Sequence, residues 1–155
     1  MLENIAPVRA MQLRILAHDT GHLLLGAPLA AHVNDKGCAF GGSLTSLMTL
    51  AGWALVELML REHGHDCDVF VADSHVRYLK PVWEDLRAEA QLDPEADCAA
   101  FLDTLASRGR ARISVPCRIL TGDGVAATLE ARFAARLRTQ DAHAAQSQQP
   151  TAGDT

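Results

Sequence analysis

The longest apolar run in the chain extends from residue 42 to about residue 62 and predicts a helix. Ser43 fits the N-cap position, and His63–Gly64 ends the run. Apolar side chains cover nearly every face of this helix, so in a soluble protein other elements must wrap it. The apolar stretch at residues 44–60 is shorter than about 20 residues and includes the polar Ser46, Thr49 and Glu57, so we expect a buried core helix and no membrane span.

Shorter segments around this helix have the composition of strands. Residues 86–92 alternate apolar and polar side chains, which is the period of a strand with one buried face. Turn-forming residues separate such segments at 19–22 and at 121–124. Asp93 as N-cap and Pro94 at the first position open a short helix. The predicted strands are residues 12–17, 23–28, 68–78, 86–92, 110–120 and 125–137.

One buried helix and about six strands joined by turns predict an α+β fold. In this fold an antiparallel sheet is wrapped around one long central helix. Residues 10–138 would form this single domain. We assign residues 1–9 to a flexible N-terminus and residues 139–155 to a disordered tail, because the tail has no large apolar residue.

Charge and cysteine content narrow the function classes. The formal net charge is −5, whereas a nucleic-acid binder normally has a basic domain, so we expect no nucleic-acid partner. Residues 1–7 include Glu3 and lack the apolar region of a secretory signal. The four cysteines form no CxxC pair and no zinc pattern, which indicates reduced thiols, a cytoplasmic protein and no metal site.

A glycine-rich segment at residues 34–44, with the sequence NDKGCAFGGSL, leads into the predicted helix. It resembles the Asn-x-x-Gly-x-x-His-Gly-Gly motif of phenylacetate-type hotdog thioesterases, but Phe40 stands in place of the histidine. It is more similar to the YiiD C-terminal type, in which Phe-Gly-Gly-Ser-Leu is followed by Ala-Gly-Trp, here residues 51–53. The resemblance covers residues 10–138 and implies a hotdog fold without a cofactor. Further matching segments are residues 72–78, 80–82 and 109–113.

The resemblance implies one of two reactions. Proteins of this type include malonyl-ACP decarboxylases, which form acetyl-ACP to start fatty acid synthesis, and older descriptions call them thioesterases. Phenylacetate-type hotdog thioesterases place a carboxylate on the central helix where this chain has Thr49. A threonine hydroxyl cannot act as a general base near neutral pH, which leaves Asp73 as the candidate base for hydrolysis.

Decarboxylation of a malonyl thioester needs hydrogen-bond donors for the enolate oxygen but no nucleophile. The side-chain amide of Asn34 and the backbone N–H of Gly41 or Gly42, at a helix N-terminus, are candidate donors. An apolar Phe40 beside the substrate carboxylate would favour loss of its charge. The missing histidine and helix carboxylate therefore favour decarboxylation. The predicted catalytic residues are Asn34, Gly41, Gly42 and Thr49.

Simpler roles remain open for several of these residues. Asn34 could be only a turn residue, Ser43 only a helix cap, and Thr49 could bond back to its own helix. The proton that the enolate carbon must take has several candidate sources, namely Ser43, Ser46, Thr49 or a water.

Arginines at alternate positions suggest a docking surface for the substrate's carrier. If Arg108, Arg110 and Arg112 lie in a strand, they project from one face. They would then bind the phosphates of a pantetheine arm or an acidic carrier protein, unless they are simply a solvated sheet edge. The predicted substrate-binding residues are Phe40, Ser43, Ser46, Asp73, Ser74, His75, Arg110 and Arg112.

By analogy with related hotdog enzymes, each site lies between two chains. Asn34 and the Gly41 N–H would come from one chain, and Thr49 and the 73–74 region from its partner. This implies a homodimer or a dimer of dimers, with paired strands that leave fewer exposed edges. The leading hypothesis is a malonyl-ACP decarboxylase. The alternatives are an acyl-CoA or acyl-ACP thioesterase and a non-catalytic protein that binds acyl thioesters.

Overall fold

One long helix lies against one antiparallel sheet. The structure is a computed structural model that describes residues 1–139. Within these residues short 3-10 turns occupy Leu2–Asn4 and Leu29–Ala31. In chain order the helices and strands are α1 (Ala6–Met11), β1 (Arg14–Asp19), β2 (His22–Ala27), α2 (Gly41–Glu62), β3 (Cys67–Tyr78), β4 (Leu86–Gln91), α3 (Asp97–Arg108), β5 (Arg110–Thr121) and β6 (Gly124–Leu137).

The six strands form a single sheet in the order β1-β2-β4-β5-β6-β3, and each neighbouring pair is antiparallel. β1 and β3 are therefore the two edges of the sheet. α2 packs across one face and contacts β2, β3, β4, β5 and β6. This arrangement confirms the predicted α+β architecture, an antiparallel sheet around one central helix.

α2 is buried along most of its length. Leu47, Met48 and Val56 have no exposed surface, and they belong to a core cluster that extends into the sheet. By length and composition alone α2 could cross a membrane, but its apolar faces are occupied by the sheet. It is therefore the core helix of the domain, as its all-round apolar pattern predicts.

Gly52 allows α2 to approach the sheet closely. A Cβ atom at this position would lie 2.9 Å from a ring carbon of Phe133 and 3.0 Å from the Sγ atom of Cys117. Both neighbours are buried, Cys117 in β5 and Phe133 in β6, so they cannot move aside without disturbing the core. This close contact explains a glycine in the middle of a helix, where it costs about 1 kcal/mol relative to alanine.

The start of α2 differs from the sequence prediction. The helix begins at Gly41, and Phe40 occupies the N-cap position without a side-chain hydrogen bond. Ser43 is the third residue of the helix, and its N–H donates to the Phe40 carbonyl at 3.0 Å. The predicted N-cap role of Ser43 is therefore wrong, because its hydroxyl bonds instead to a buried histidine that is described below.

The two ends of the chain can be compared with the predicted flexible N-terminus and disordered tail. Residues 1–9, for which the sequence predicts flexibility, form a 3-10 turn and most of α1, and Val8 is buried. The physical reason is that Met1 and Leu2 pack on the core cluster. The predicted disordered tail, residues 139–155, lies outside the described residues apart from Thr139.

The helix before β5 is shifted from its predicted position. The Asp93 carboxylate accepts hydrogen bonds from the N–H groups of Glu95 and Ala96, which forms a separate turn. α3 therefore starts at Asp97 rather than at Pro94. At its other end α3 includes Arg108, so this arginine does not alternate with the two arginines of β5.

Replacing Gly52 tests the close contact between α2 and the sheet. Gly52→Ala should lower the free energy of unfolding by about 1–3 kcal/mol, the usual range for an overpacked core, although alanine is the better helix former. Urea denaturation followed by circular dichroism would measure the change. Adding Phe133→Leu should offset part of the loss, because the smaller side chain makes room. A Gly52→Ala protein as stable as the wild type would contradict this explanation.

Candidate active site

A tight loop precedes α2 and contains Asn34. Val33 and Ala39 pair as an antiparallel bridge, and the N–H of Asn34 donates to the Cys38 carbonyl at 2.8 Å. Gly37 has a φ of +89°, which glycine adopts without steric cost, and donates to the Asn34 carbonyl at 3.2 Å. Hydrogen bonds on both sides therefore fix the backbone of Asn34 ahead of the helix.

The side chain of Asn34 is oriented by two neighbours in the same loop. Its Oδ1 atom accepts a hydrogen bond from the N–H of Lys36 at 2.8 Å, the geometry of an Asx turn. Its Nδ2 atom donates to Sγ of the buried Cys38 at 3.2 Å. An amide nitrogen has two hydrogens, and within residues 1–139 the second one has no acceptor. Asn34 therefore acts as a turn residue and also has an N–H available to a ligand.

The first turn of α2 presents two backbone donors. The N–H groups of Gly41 and Gly42 have no acceptor among the described residues, as is usual at the start of a helix. The Phe40 ring lies over Gly42, where an added Cβ would be 2.5 Å from a ring carbon. The Tyr78 ring lies beside Gly41, 3.6 Å from the corresponding position, and both rings are 57% exposed. Each of the two glycines thus has an aromatic ring beside it.

A known protein family matches nearly all of the chain that the structure describes. A family model described as "Putative thioesterase (yiiD_Cterm)" matches residues 1–137. The chain belongs to this family. Membership implies an acyl-thioester substrate, and the fold is the hotdog fold of these thioesterases, as the sequence resemblance predicts.

Solved structures agree with this assignment. A protein of unknown function from Chlorobaculum tepidum is 28% identical, with a TM-score of 0.83 over 88% of this chain and 89% of that chain. A protein from Pseudomonas aeruginosa described as a probable thioesterase is 28% identical, with a TM-score of 0.75 over 88% and 90%. The "putative thioesterase" of Shewanella oneidensis is 26% identical, with a TM-score of 0.76 over 88% and 91%.

A buried histidine lies behind the first turn of α2. His32 is 5% exposed, and its Nε2 atom is 2.8 Å from the carbonyl oxygen of Met11 at the end of α1. Its Nδ1 atom is 2.9 Å from Oγ of Ser43. Because a carbonyl can only accept, Nε2 carries a proton, and in the neutral ring Nδ1 accepts from the Ser43 hydroxyl. The Ser43 hydroxyl is therefore held by a histidine that is itself held in place.

A row of side chains on α2 faces the edge strand β3. The hydroxyls of Thr45 and Tyr78 are 2.5 Å apart, and the indole N–H of Trp53 donates to the Val69 carbonyl at 3.0 Å. Thr49 lies between these contacts and donates to the Thr45 carbonyl at 2.8 Å. The bond of Thr49 back to its own helix is thus present, and its oxygen retains only acceptor capacity for a ligand.

The predicted residues of β3 do not share one face of the sheet. Asp73 pairs with Arg132, and His75 lies opposite Glu130, so both side chains are on the face that α2 does not cover. Ser74 lies opposite the buried Ala131 and is on the helix side. The placement of Asp73 and His75 in the site is therefore not supported, because a register shift between Val71 and Asp73 turns them outward.

The arginines of β5 are far from the loop within one chain. Arg110 and Arg112 are exposed and lie opposite Arg136 and Ala134 of β6, which in turn pair with the first half of β3. Tyr78 is at the other end of β3, roughly 25 Å away along the strand direction. The structure therefore does not bring these arginines to the first turn of α2 in the same chain.

Two further polar residues of α2 have different surroundings. Ser46 is exposed and has no side-chain hydrogen bond within residues 1–139. Glu57 lies near the far end of the helix beside Arg61. Burial raises the pKa of Glu57, and the charges of Arg61 and Arg138 lower it in part. Glu57 is four turns from the helix N-terminus and does not belong to the site.

Three residues of the site were not among the sequence predictions. They are His32, Thr45 and Tyr78. Thr45 belongs to α2 itself, whereas His32 and Tyr78 reach the start of α2 from other parts of the chain. The one sequence signal is that His32 and Tyr78 belong to the segments next to the glycine-rich motif and to the second matching motif. Their contacts depend on pairings 11 and 33 residues apart, which local sequence patterns do not report.

Proposed function

We propose that this protein decarboxylates a malonyl thioester on acyl carrier protein and releases acetyl-ACP, which can start fatty acid synthesis. The observation that supports the proposal is a set of oriented N–H donors without a carboxylate beside them. These donors are the second N–H of Asn34 and the N–H groups of Gly41 and Gly42. Decarboxylation needs such donors and needs no base.

The chemistry follows from where negative charge develops. When carbon dioxide leaves, the electron pair of the broken C–C bond moves into the thioester, and the thioester oxygen becomes an enolate oxygen. Each N–H aimed at that oxygen stabilises the transition state by about 3 kcal/mol. The rings of Phe40 and Tyr78 provide apolar surface beside the leaving carboxylate, which favours its conversion to neutral carbon dioxide.

The positions of the carboxylates argue against water activation by an acidic residue. Asp73 is on the outer face of the sheet and pairs with Arg132. Glu57 is at the opposite end of α2. Asp35 is in the loop itself, but its side chain is 81% exposed and pairs with Lys36. A carboxylate next to the bare N–H groups would also repel the malonyl carboxylate.

Substitution of Asn34 tests the proposed donor. Asn34→Asp retains the oxygen that accepts the Lys36 N–H but loses the donor, and Asn34→Ala loses both. Both changes should lower the formation of acetyl-ACP about 100-fold or more, as for loss of one oxyanion donor. Mass spectrometry of malonyl-ACP reactions would measure the product. Asp35→Asn in the same loop is the control and should retain activity. Full turnover by Asn34→Asp would remove Asn34 from the mechanism.

A second candidate function is hydrolysis of an acyl-ACP or acyl-CoA thioester, in keeping with the family description. The observation that favours it is the series Ser43, His32 and the Met11 carbonyl, which has the order of nucleophile, base and orienting group. In this reaction Ser43 would attack the thioester carbonyl and pass its proton to Nδ1 of His32. The imidazolium would protonate the leaving thiolate, and water would then hydrolyse the acyl-serine.

Substitution of Ser43 separates the two reactions. If the protein is a decarboxylase, Ser43→Ala should lower acetyl-ACP formation by no more than about tenfold, the effect of one lost hydrogen bond. Hydrolysis replaces our proposal if the wild type releases free ACP thiol and forms an acyl-serine, and if the Ser43→Ala variant does neither. If the wild type binds malonyl-ACP without any turnover, the protein is a non-catalytic binder of acyl thioesters.

We further propose that two chains pair through β3 to complete the site. β3 is a 12-residue edge strand with one side unpaired in the sheet. A long unpaired edge invites pairing with another chain. On the helix side Val71 is 50% exposed, which is unusual for an inward-facing valine. A second copy would cover this surface and place its own β3 and α2 beside Thr45, Thr49 and Trp53, the α2 side chains that face β3. The result is a homodimer or a dimer of dimers.

A charge placed on β3 tests the assembly. Val71→Lys should convert the dimer into monomers and lower turnover with it, because the added charge would be buried in the new sheet. Analytical ultracentrifugation gives the mass in solution. Ile15→Lys on β1, the opposite edge, is the matched control and should leave the dimer intact, since Ile15 is similarly exposed at 56%. Dissociation by Ile15→Lys alone would assign the interface to β1.

The proposed dimer also gives Arg110 and Arg112 a role. If two β3 strands pair antiparallel, the Arg110 end of one sheet lies at the Tyr78 end of the other. Arg110 is directly opposite Arg136, so like charges are concentrated there. Such a cluster fits the acidic surface of a carrier protein or the phosphates of CoA. The reduced state of the four buried cysteines fits a cytoplasmic enzyme.

A further inference from the structure

Tyr78 places a phenol at the first turn of α2. Its ring lies 3.6–3.9 Å from the position that a Cβ on Gly41 would take. Its hydroxyl is 2.5 Å from Oγ1 of Thr45 and 3.3 Å from the Gly41 carbonyl oxygen. The ring is 57% exposed. The phenol thus lies against Gly41, whose N–H is unpaired within residues 1–139, and it remains partly exposed to solvent.

The other hydroxyls near this turn have competing bonds or lie elsewhere. The Ser43 hydroxyl is directed to the buried His32, and the Thr49 hydroxyl donates to the Thr45 carbonyl. Ser46 is exposed without a partner in the described chain. Tyr78 is the hydroxyl that combines proximity to the donors with access to water. A phenol is also a far stronger acid than a serine or threonine hydroxyl.

We propose that Tyr78 is a catalytic residue that protonates the enolate carbon after carbon dioxide has left; this rests on the decarboxylation proposed above. The O–H bond of Tyr78 breaks, its proton bonds to the α-carbon, and the electron pair of the enolate forms the new C–H bond. The thioester carbonyl is restored, and acetyl-ACP results. Tyr78 becomes a phenolate, which takes a proton from water and returns to its starting state.

Thr45 is the positioning residue for this step. At 2.5 Å, its hydroxyl can accept a hydrogen bond from the phenol or donate one to the phenolate. It therefore stabilises the anion that forms on Tyr78 when the proton leaves. The Gly41 carbonyl oxygen is 3.3 Å from both hydroxyls, so the hydroxyl that accepts from its neighbour can donate to this carbonyl, which holds the pair against the helix.

Three variants of the full chain test the assignment with malonyl-ACP as substrate. Tyr78→Phe retains the ring against Gly41 and removes the hydroxyl. Its kcat should fall about 100-fold, in the usual range for loss of a general acid. Its KM should change less than about twofold, because uniform substrate binding is unaffected. Thr45→Val should lower kcat about tenfold, and Thr45→Ser should restore it, since serine retains the hydroxyl.

A matched control shows whether the loss is structural. Thr104 of α3 bonds to the carbonyl four residues back, as Thr45 does, but far from the site. Thr104→Val should therefore retain full activity. If the wild type forms no acetyl-ACP, the proposed function and the role of Tyr78 both fail. If the wild type forms acetyl-ACP and Tyr78→Phe has an unchanged kcat, or only a raised KM, the role of Tyr78 alone is overturned.

Discussion

The burial of α2 against the sheet is the constraint on which the rest of the structure depends. A helix that is apolar on nearly every side must be covered, and here the sheet covers it so closely that only glycine fits at position 52. The contact fixes both the position of α2 along its axis and its rotation about that axis. The N–H groups of Gly41 and Gly42 are therefore held before any ligand arrives. Donors that need no reorganisation are the ones that stabilise a developing charge most.

The same constraint explains why the domain looks incomplete along β3. β3 is the edge strand next to β6, and α2 covers only part of its helix side. Trp53 and Thr45 reach β3 at two points, and Thr49 lies between them. A second chain would cover the surface that the first cannot. In the proposed dimer the same contacts would bury the core helix and complete the site, so folding and assembly would be linked.

Sequence periodicity predicted much of this fold because burial is periodic. The alternation at residues 86–92 and the all-round apolar helix led directly to β4 and α2. Local patterns did not predict contacts made between distant parts of the chain. His32 is a single histidine in a loop, and its role depends on the hydrogen bonds that it makes with Met11 and Ser43 in the folded chain. The Tyr78–Thr45 contact likewise requires the crossing of β3 over the start of α2. The local sequence favours Ser43 as the N-cap of α2, whereas in the fold its hydroxyl bonds to the buried His32.

One irregularity in β3 has a consequence for how such sites can change. The strand skips one pairing between Val71 and Asp73, and as a result Ser74 and Tyr78 face the helix while Asp73 and His75 face away. Strict alternation from Val71 would put the carboxylate of Asp73 and the imidazole of His75 on the helix side instead. A one-residue slide of β3 along β6 would exchange the two sets without altering any residue. The helix side would then hold a carboxylate and an imidazole, the groups of a hydrolytic site, in place of a phenol. On this scaffold the position of a single bulge would therefore decide which of two sets of functional groups faces the helix.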